Sequence, residues 1–198
     1  MDINIEELKK EFIEIYNSNI HREGAKELLE FLIKSDFFIA PASTQFHSAF
    51  EGGLCSHSLK VYHRFKKAVI NEYGDKYQDK VSEETIAVCA LLHDLCKIDT
   101  FKVDTRNKKV DGNWVQVPFY SVEDSLPYGH GEKSVYIISG FMKLTREEAM
   151  VINWHMGAFD ARVKGGGFGI SEAYYRFPLA CLFHTCDMLS TYVDEERG

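Results

Sequence analysis

Proline is scarce, with four in 198 residues, so most of the chain is free of the commonest helix breaker. Long apolar runs are absent as well. The densest, Ile86 to Leu92, has seven residues, far below the ~18–20 that a membrane-spanning helix needs. The five cysteines are an odd count without a CxxC pair. Four of them sit in apolar contexts, which excludes a disulfide scaffold and predicts buried free thiols in a reducing compartment. Basic charge is in deficit: 23 Lys+Arg against 30 Asp+Glu give a formal net charge of −7. That argues against broad, non-specific binding of duplex nucleic acid and leaves a local basic site open. The N-terminal MDINIEELKKEF is acidic and amphipathic, unlike a signal peptide. These absences predict a soluble, cytoplasmic protein.

What is present is helical periodicity. Ile5, Leu8, Phe12 and Ile15 share one face of residues 4–18, and Ala25, Leu28, Leu29 and Leu32 share one face of 23–35. Pro41 and Gly52-Gly53 make 37–53 a loop. A helix is predicted from about Leu54 to Tyr73, and another from its N-cap at Ser82 to about Ile98. Phe101 to Val122 surrounds an Asp111-Gly112-Asn113 turn, which predicts a β-hairpin. Helix resumes near His130. Thr145 and Glu148 form a capping box for a helix carrying Trp154 and His155. Ser171 is the expected cap of a short helix, and Pro178 opens the last one. The length suits one domain: N-terminal helices over 1–36 packed on a helical unit over 37–198, with a hairpin inserted near 100–122.

The chemistry-bearing residues stand inside apolar helices. IAVCALL is apolar on all sides, so its helix is buried, yet His93-Asp94 follows it at once and Lys97 one turn later. A buried carboxylate costs several kcal/mol unless it is paired or binds a metal. With 8 His and 12 Asp in the chain, chance supplies roughly half of one such dipeptide at ordinary residue frequencies, and a salt-bridged helix end explains the pair equally well. His57 follows Gly52-Gly53-Leu54, His155 follows Ile152-Asn153-Trp154, and His130 stands at a helix start. His184 and Asp187 are spaced i, i+3 in the apolar LACLFHTCDMLSTY. Imidazoles and carboxylates on several buried helices are what a transition-metal site in a bundle requires. His21 and His63 are read as structural.

The order His57, His93-Asp94, Asp187, in GGLCSHSLKVYH, ALLHDLCK and HTCDMLSTY, resembles the HD-domain superfamily of metal-dependent phosphohydrolases over roughly 41–192. The resemblance implies an all-α HD-domain bundle in which those four residues bind one metal. His130 and His155 stand where two-metal branches place further ligands, with Asp94 bridging the ions. HDLCK looks like the HDxxK variant of those branches, which puts Lys97 beside the metal-bound phosphate. PASTQFHSAFEGGLCSH is also similar to the HD domain of YhaM-type 3′–5′ exoribonucleases, which carry an N-terminal OB-fold where this chain has two short helices.

The implied cofactor is one or two divalent ions (Mn, Fe, Ni, Co or Zn, with Mg also open). The implied substrate is a small phosphorylated molecule, a nucleotide or a short single-stranded nucleic acid. Asp94 and Lys97 are the expected catalytic pair. His184, His47 and Lys133 are expected to orient ligands or contact substrate. The resemblance leaves four activities open: a phosphomono- or diesterase, a single-strand-specific exonuclease, a di-iron oxygenase, and a non-catalytic nucleotide-binding module. Lys97, Lys102, Arg106, Lys108 and Lys109 form a basic patch that suits either an anionic substrate or a solvated hairpin edge. The GGGFG loop is a candidate lid.

Overall fold

A computed structural model describes residues 4–45 and 47–195. The termini of both expected segments (1–3 and 196–198) and Phe46 of PASTQFH lie outside the described residues. Helix α1 (Ile5–Asn19) starts where the Asn4 side chain accepts from the Glu7 N–H, and it buries Phe12 and Tyr16. Helix α2 (Ala25–Lys34) buries Ala25, Leu28, Leu29 and Leu32. Both faces join one continuous core with α3 (Gly53–Tyr73), α4 (Glu83–Leu92) and α9 (Pro178–Leu189). In α4 every residue from Ile86 to Leu92 is buried. Among the described residues no helix is long and apolar enough to cross a membrane. Cys55, Cys89, Cys96 and Cys186 are buried free thiols, while Cys181 is a free thiol at the surface.

The fold is the helical bundle with an inserted hairpin that the sequence predicts. Strands β1 (Phe101–Val110) and β2 (Asn113–Val122) pair antiparallel from Phe101↔Val122 to Val110↔Asn113. Asp111 and Gly112 turn the chain at φ 49° and 86°, the doubly positive conformation of a type I′ turn. Helices α5 (His130–Ser139) and α6 (Arg146–Asn153) follow, and α6 carries both bonds of the Thr145–Glu148 capping box. Then come the short α7 (Ala161–Lys164) and α8 (Gly169–Arg176). Pro178 opens α9.

Three boundaries differ from the sequence prediction. Helix α6 ends at Asn153, short of the expected Trp154 and His155. Helix α8 begins at Gly169, two residues ahead of the expected Ser171 cap. Helix α4 stops at Leu92 instead of reaching Ile98 and gives way to a 3₁₀ turn over Leu95–Lys97. The cause is local: the His93 ring donates from Nδ1 to the Ala90 carbonyl at 2.9 Å, the acceptor that a continuing helix offers to the Asp94 N–H.

Between α1 and α2, Arg22 reaches Glu148 of α6 with two bonds of 2.7 and 2.9 Å, and Glu84 at 3.2 Å. The Glu148 side chain is fully buried. Arg22→Ala is therefore expected to lower unfolding free energy by about 3 kcal/mol, because it strands a buried carboxylate. Breaking the exposed Lys10–Glu14 pair with Lys10→Ala is expected to change it by less than ~0.5 kcal/mol. Urea denaturation of the two variants checks the contrast.

Candidate metal centre and active site

Four imidazoles, from α3, α4, α9 and the turn after α6, gather at or beneath the floor of one cavity, and each is anchored through Nδ1. His93 closes α4 on the Ala90 carbonyl. His155, just past the end of α6, donates to the Ile152 carbonyl at 2.7 Å. His184 of α9 donates to the His155 carbonyl at 2.6 Å. A main-chain carbonyl only accepts, so in all three rings Nδ1 carries a hydrogen and Nε2 is the free valence. His57 of α3 faces a carboxylate instead, with Nδ1 2.6 Å from Glu195 Oε1. Gly157 allows the His155–His184 approach: a Cβ there would stand 2.2 Å from the His184 ring.

The Nε2 atoms of His57, His93 and His155 meet carboxylates. His57 Nε2 lies 3.2 Å from Asp187 Oδ1 and 3.6 Å from Asp94 Oδ2. His93 Nε2 lies 3.4 Å from Asp94 Oδ2, 4.0 Å from Asp187 Oδ1 and 3.2 Å from His57 Nε2. His155 Nε2 stands 3.4 Å from Asp94 Oδ1 and is buried without a hydrogen-bond partner. Ligand atoms of His57, His93 and Asp94 lie within 4.8 Å of one another. Nitrogen lone pairs gathered around carboxylate oxygens, with one buried nitrogen left orphaned, are the donor set of a divalent cation. The residues present fit such an ion.

Electrostatics point the same way. Burial raises the Asp94 carboxyl, but the Lys97 ammonium, held 2.6 Å from Oδ2, and the neighbouring imidazoles drive it well below the carboxylate range. Burial likewise opposes ionisation of Asp187, and His57 overcomes it. Burial pulls the His57 pKa down, yet Asp187 and Glu195 lift it from 6.5 to about 9. For His155 burial is again outweighed, here by the Asp94 charge, and the pKa is raised. Lys97 is buried but stays a cation through Asp94.

The cavity above this floor holds about 1000 Å³ and is lined by Asp94, Lys97, His57, His155, His184, Asp187, His47 and His130. His47 is lowered to about 4 by burial and by the charges of Lys97 and His57, so it is neutral at pH 7. Burial, opposed by Asp94, also lowers His130. His130 lines the wall without an ion-pair contact to the cluster among the described residues. Lys133, an expected substrate contact, does not line the cavity. It is buried, and its ammonium donates to Thr100 Oγ1 at 3.1 Å and to Asp124 Oδ1 at 2.7 Å. No residue of the GGGFG loop lines the cavity, although Lys164 just before it does. His21 bonds the Ser18 carbonyl and His63 bonds Glu11, both at the surface.

Glu195 was absent from the sequence expectations. It lies in the polar run YVDEERG, which carries the signature of a solvated tail, and nothing local to it signals burial.

The HD-domain family model matches residues 54–176, well over half of the chain. The chain belongs to the HD-domain family. HD domains bind divalent metals and are generally metal-dependent phosphohydrolases. No curated protein and no solved structure matches the chain. The matched span contains the HD pair, His57, His130 and His155, while Asp187 falls beyond it.

A stability profile tests the electrostatics of this HD site. A histidine whose pKa is raised on folding stabilises fully below its unfolded value, and that stabilisation is lost as pH rises through the folded value. Chelator-treated protein is expected to lose thermal stability between pH 6.5 and about 9 through His57, with His155 acting in the same direction. Added divalent cation is expected to flatten the fall by replacing those protons. A metal-free Tm that holds constant across this window contradicts the assignment.

Proposed function

We propose that this HD protein hydrolyses the phosphoester of a nucleotide-like substrate bound in the 1000 Å³ cavity. The observation that carries this reading is the convergence of His57, His93, Asp94 and Asp187 beside a buried Lys97 at the cavity floor. Once a divalent cation displaces the His57 proton, Asp94, Asp187 and Glu195 against Lys97 leave two negative charges for it to neutralise. His57, His93, Asp94 and Asp187 would hold the first ion. Asp94 Oδ1 faces His155, so those two with His130 would hold a second. The imidazoles suit Fe, Co, Ni or Zn, and the carboxylates also admit Mn.

A divalent cation bound there supplies Lewis acidity toward a phosphoryl oxygen and lowers the pKa of a water. The chain's own residues do the rest. Lys97, fixed by Asp94, presents positive charge to the phosphate as charge develops on it. Neutral His47 can offer the substrate a hydrogen bond but no charge. His184 braces His155 by holding its carbonyl. Phe101, Tyr128, Phe159, Met156, Met188 and Tyr192 give the upper cavity a largely apolar, aromatic wall, which suits a flat ring system.

A second reading, trimming of single strands from a 3′ end, is favoured by one observation. A groove of about 470 Å³ runs between the hairpin and Thr44, Gln45 and Ala49, shares Thr44 and Gln45 with the cavity, and is bordered by Arg106, Lys108, Phe119 and Tyr120. Cations interleaved with aromatic rings suit a single-stranded backbone and its bases.

Metal-stripped protein reloaded with Mn, Fe, Co, Ni or Zn and assayed against phosphomonoesters, diesters and nucleotides tests the first reading. Turnover is expected without dioxygen; an oxygen requirement would assign oxidation instead. Asp94→Asn is expected to lower kcat/KM at least about 10³-fold, and Lys97→Met about 10²-fold, with the fold retained. An inactive wild type with every metal contradicts the reading. For the second reading, Arg106→Glu with Lys108→Glu is expected to weaken oligonucleotide binding at least about tenfold and to reduce its salt dependence. An unchanged salt slope removes it.

A further inference from the structure

We propose that Glu195 is a positioning residue of the metal centre: it fixes the tautomer and orientation of His57 and so sets how tightly the centre holds a divalent cation. This rests on the reading of His57 as a ligand. Helix α9 does not end freely. It passes into a π-helical turn over Ser190–Asp194, after which the backbone becomes extended at Glu195 (φ −106°, ψ 138°). The widened turn brings a polar tail back over α3. Arg64 of α3 clamps it, donating through Nε and Nη2 to Asp194 at 2.6 and 2.5 Å. Arg64 is seven residues from His57, two turns along the same face of one helix.

Beyond the clamp, the Glu195 side chain is fully buried. A buried carboxylate costs several kcal/mol unless its oxygens find partners, and both do. Oε1 lies 2.6 Å from His57 Nδ1, and Oε2 accepts from Ser48 Oγ at 2.5 Å. Ser48 is itself held in the left-handed region at φ 45°. With both oxygens engaged, Glu195 faces the Nδ1 edge of His57, while Asp94 and Asp187 face Nε2. That is the place of an outer partner that orients a ligand rather than of a ligand itself.

The choice of partner is also chemically distinct. His93, His155 and His184 hang on neutral carbonyls, whereas His57 receives an anion. A carboxylate behind an imidazole makes the opposite nitrogen a stronger donor to a metal, and losing such a partner typically weakens metal affinity 10–100-fold. Thr191 and Tyr192 of the same turn line the cavity, so one short segment braces the centre from behind and shapes its entrance.

The test uses metal-stripped full chain titrated with Co(II), read by its ligand-field absorption and by competition with a chelator. Glu195→Ala is expected to weaken Co(II) binding nearly 100-fold and to alter the absorption bands. Glu195→Gln keeps an acceptor for His57 but loses the charge, and is expected to weaken binding about tenfold. If Glu195→Ala fails to fold, Glu195→Gln carries the test alone. A purely structural Glu195 lowers the metal-free Tm while Co(II) affinity and bands match the wild type, and that result overturns the proposal. A wild type that binds no Co(II), or binds it equally well after His57→Ala, overturns the ligand reading beneath it.

Discussion

A carboxylate removed from water is the constraint on which the site depends. Asp94 is 2% exposed, and its charge survives there because Lys97 and the Nε2 edges of His57, His93 and His155 surround it. None of these partners comes from flexible loop chemistry. His57 rides on the long α3, the HD pair follows the last residue of α4 at once, and His155 lies two residues past the end of α6. The packing of the apolar faces of α3, α4, α6 and α9 into one core therefore sets the distances at the centre. A buried anion is expensive in most folds. Here the expense becomes useful, because the same enclosure that penalises Asp94 strengthens its attraction for a cation.

Orientation is kept by a repeated device. Each imidazole surrenders Nδ1 to a fixed acceptor and presents Nε2. In His93 and His155 the acceptor is the carbonyl three residues back, so each ring is tied to the last turn of the helix just before it. Gly157 extends the arrangement by letting His184 close on the His155 carbonyl. The net charge of −7 describes the surface and says little about this pocket, where carboxylates outnumber ammonium groups.

Much of this was legible in the sequence, for reasons that are local. The Thr145–Glu148 box, the Asp111-Gly112 turn and Pro178 act over four residues or fewer, and they stand where their spacing predicts. The polar residues inside IAVCALLHD and LACLFHTCD drew attention because apolar surroundings make charge conspicuous. What escaped was non-local. The break after Leu92 depends on a side chain competing with the backbone for Ala90, and periodicity cannot register that competition. Lys133 is held by Asp124, nine residues back, and by Thr100, from before the hairpin, pairings that helical spacing does not signal. Glu195 reads as solvated, and only the turn after α9 and the Arg64 clamp reveal its burial.

The most direct measurement is anomalous diffraction from crystals of the full chain grown with Mn(II). The account predicts a peak bounded by Nε2 of His57 and His93 and by carboxylate oxygens of Asp94 and Asp187. A bound Mn(II) located away from those four residues, or an empty cluster at saturating Mn(II), would contradict it.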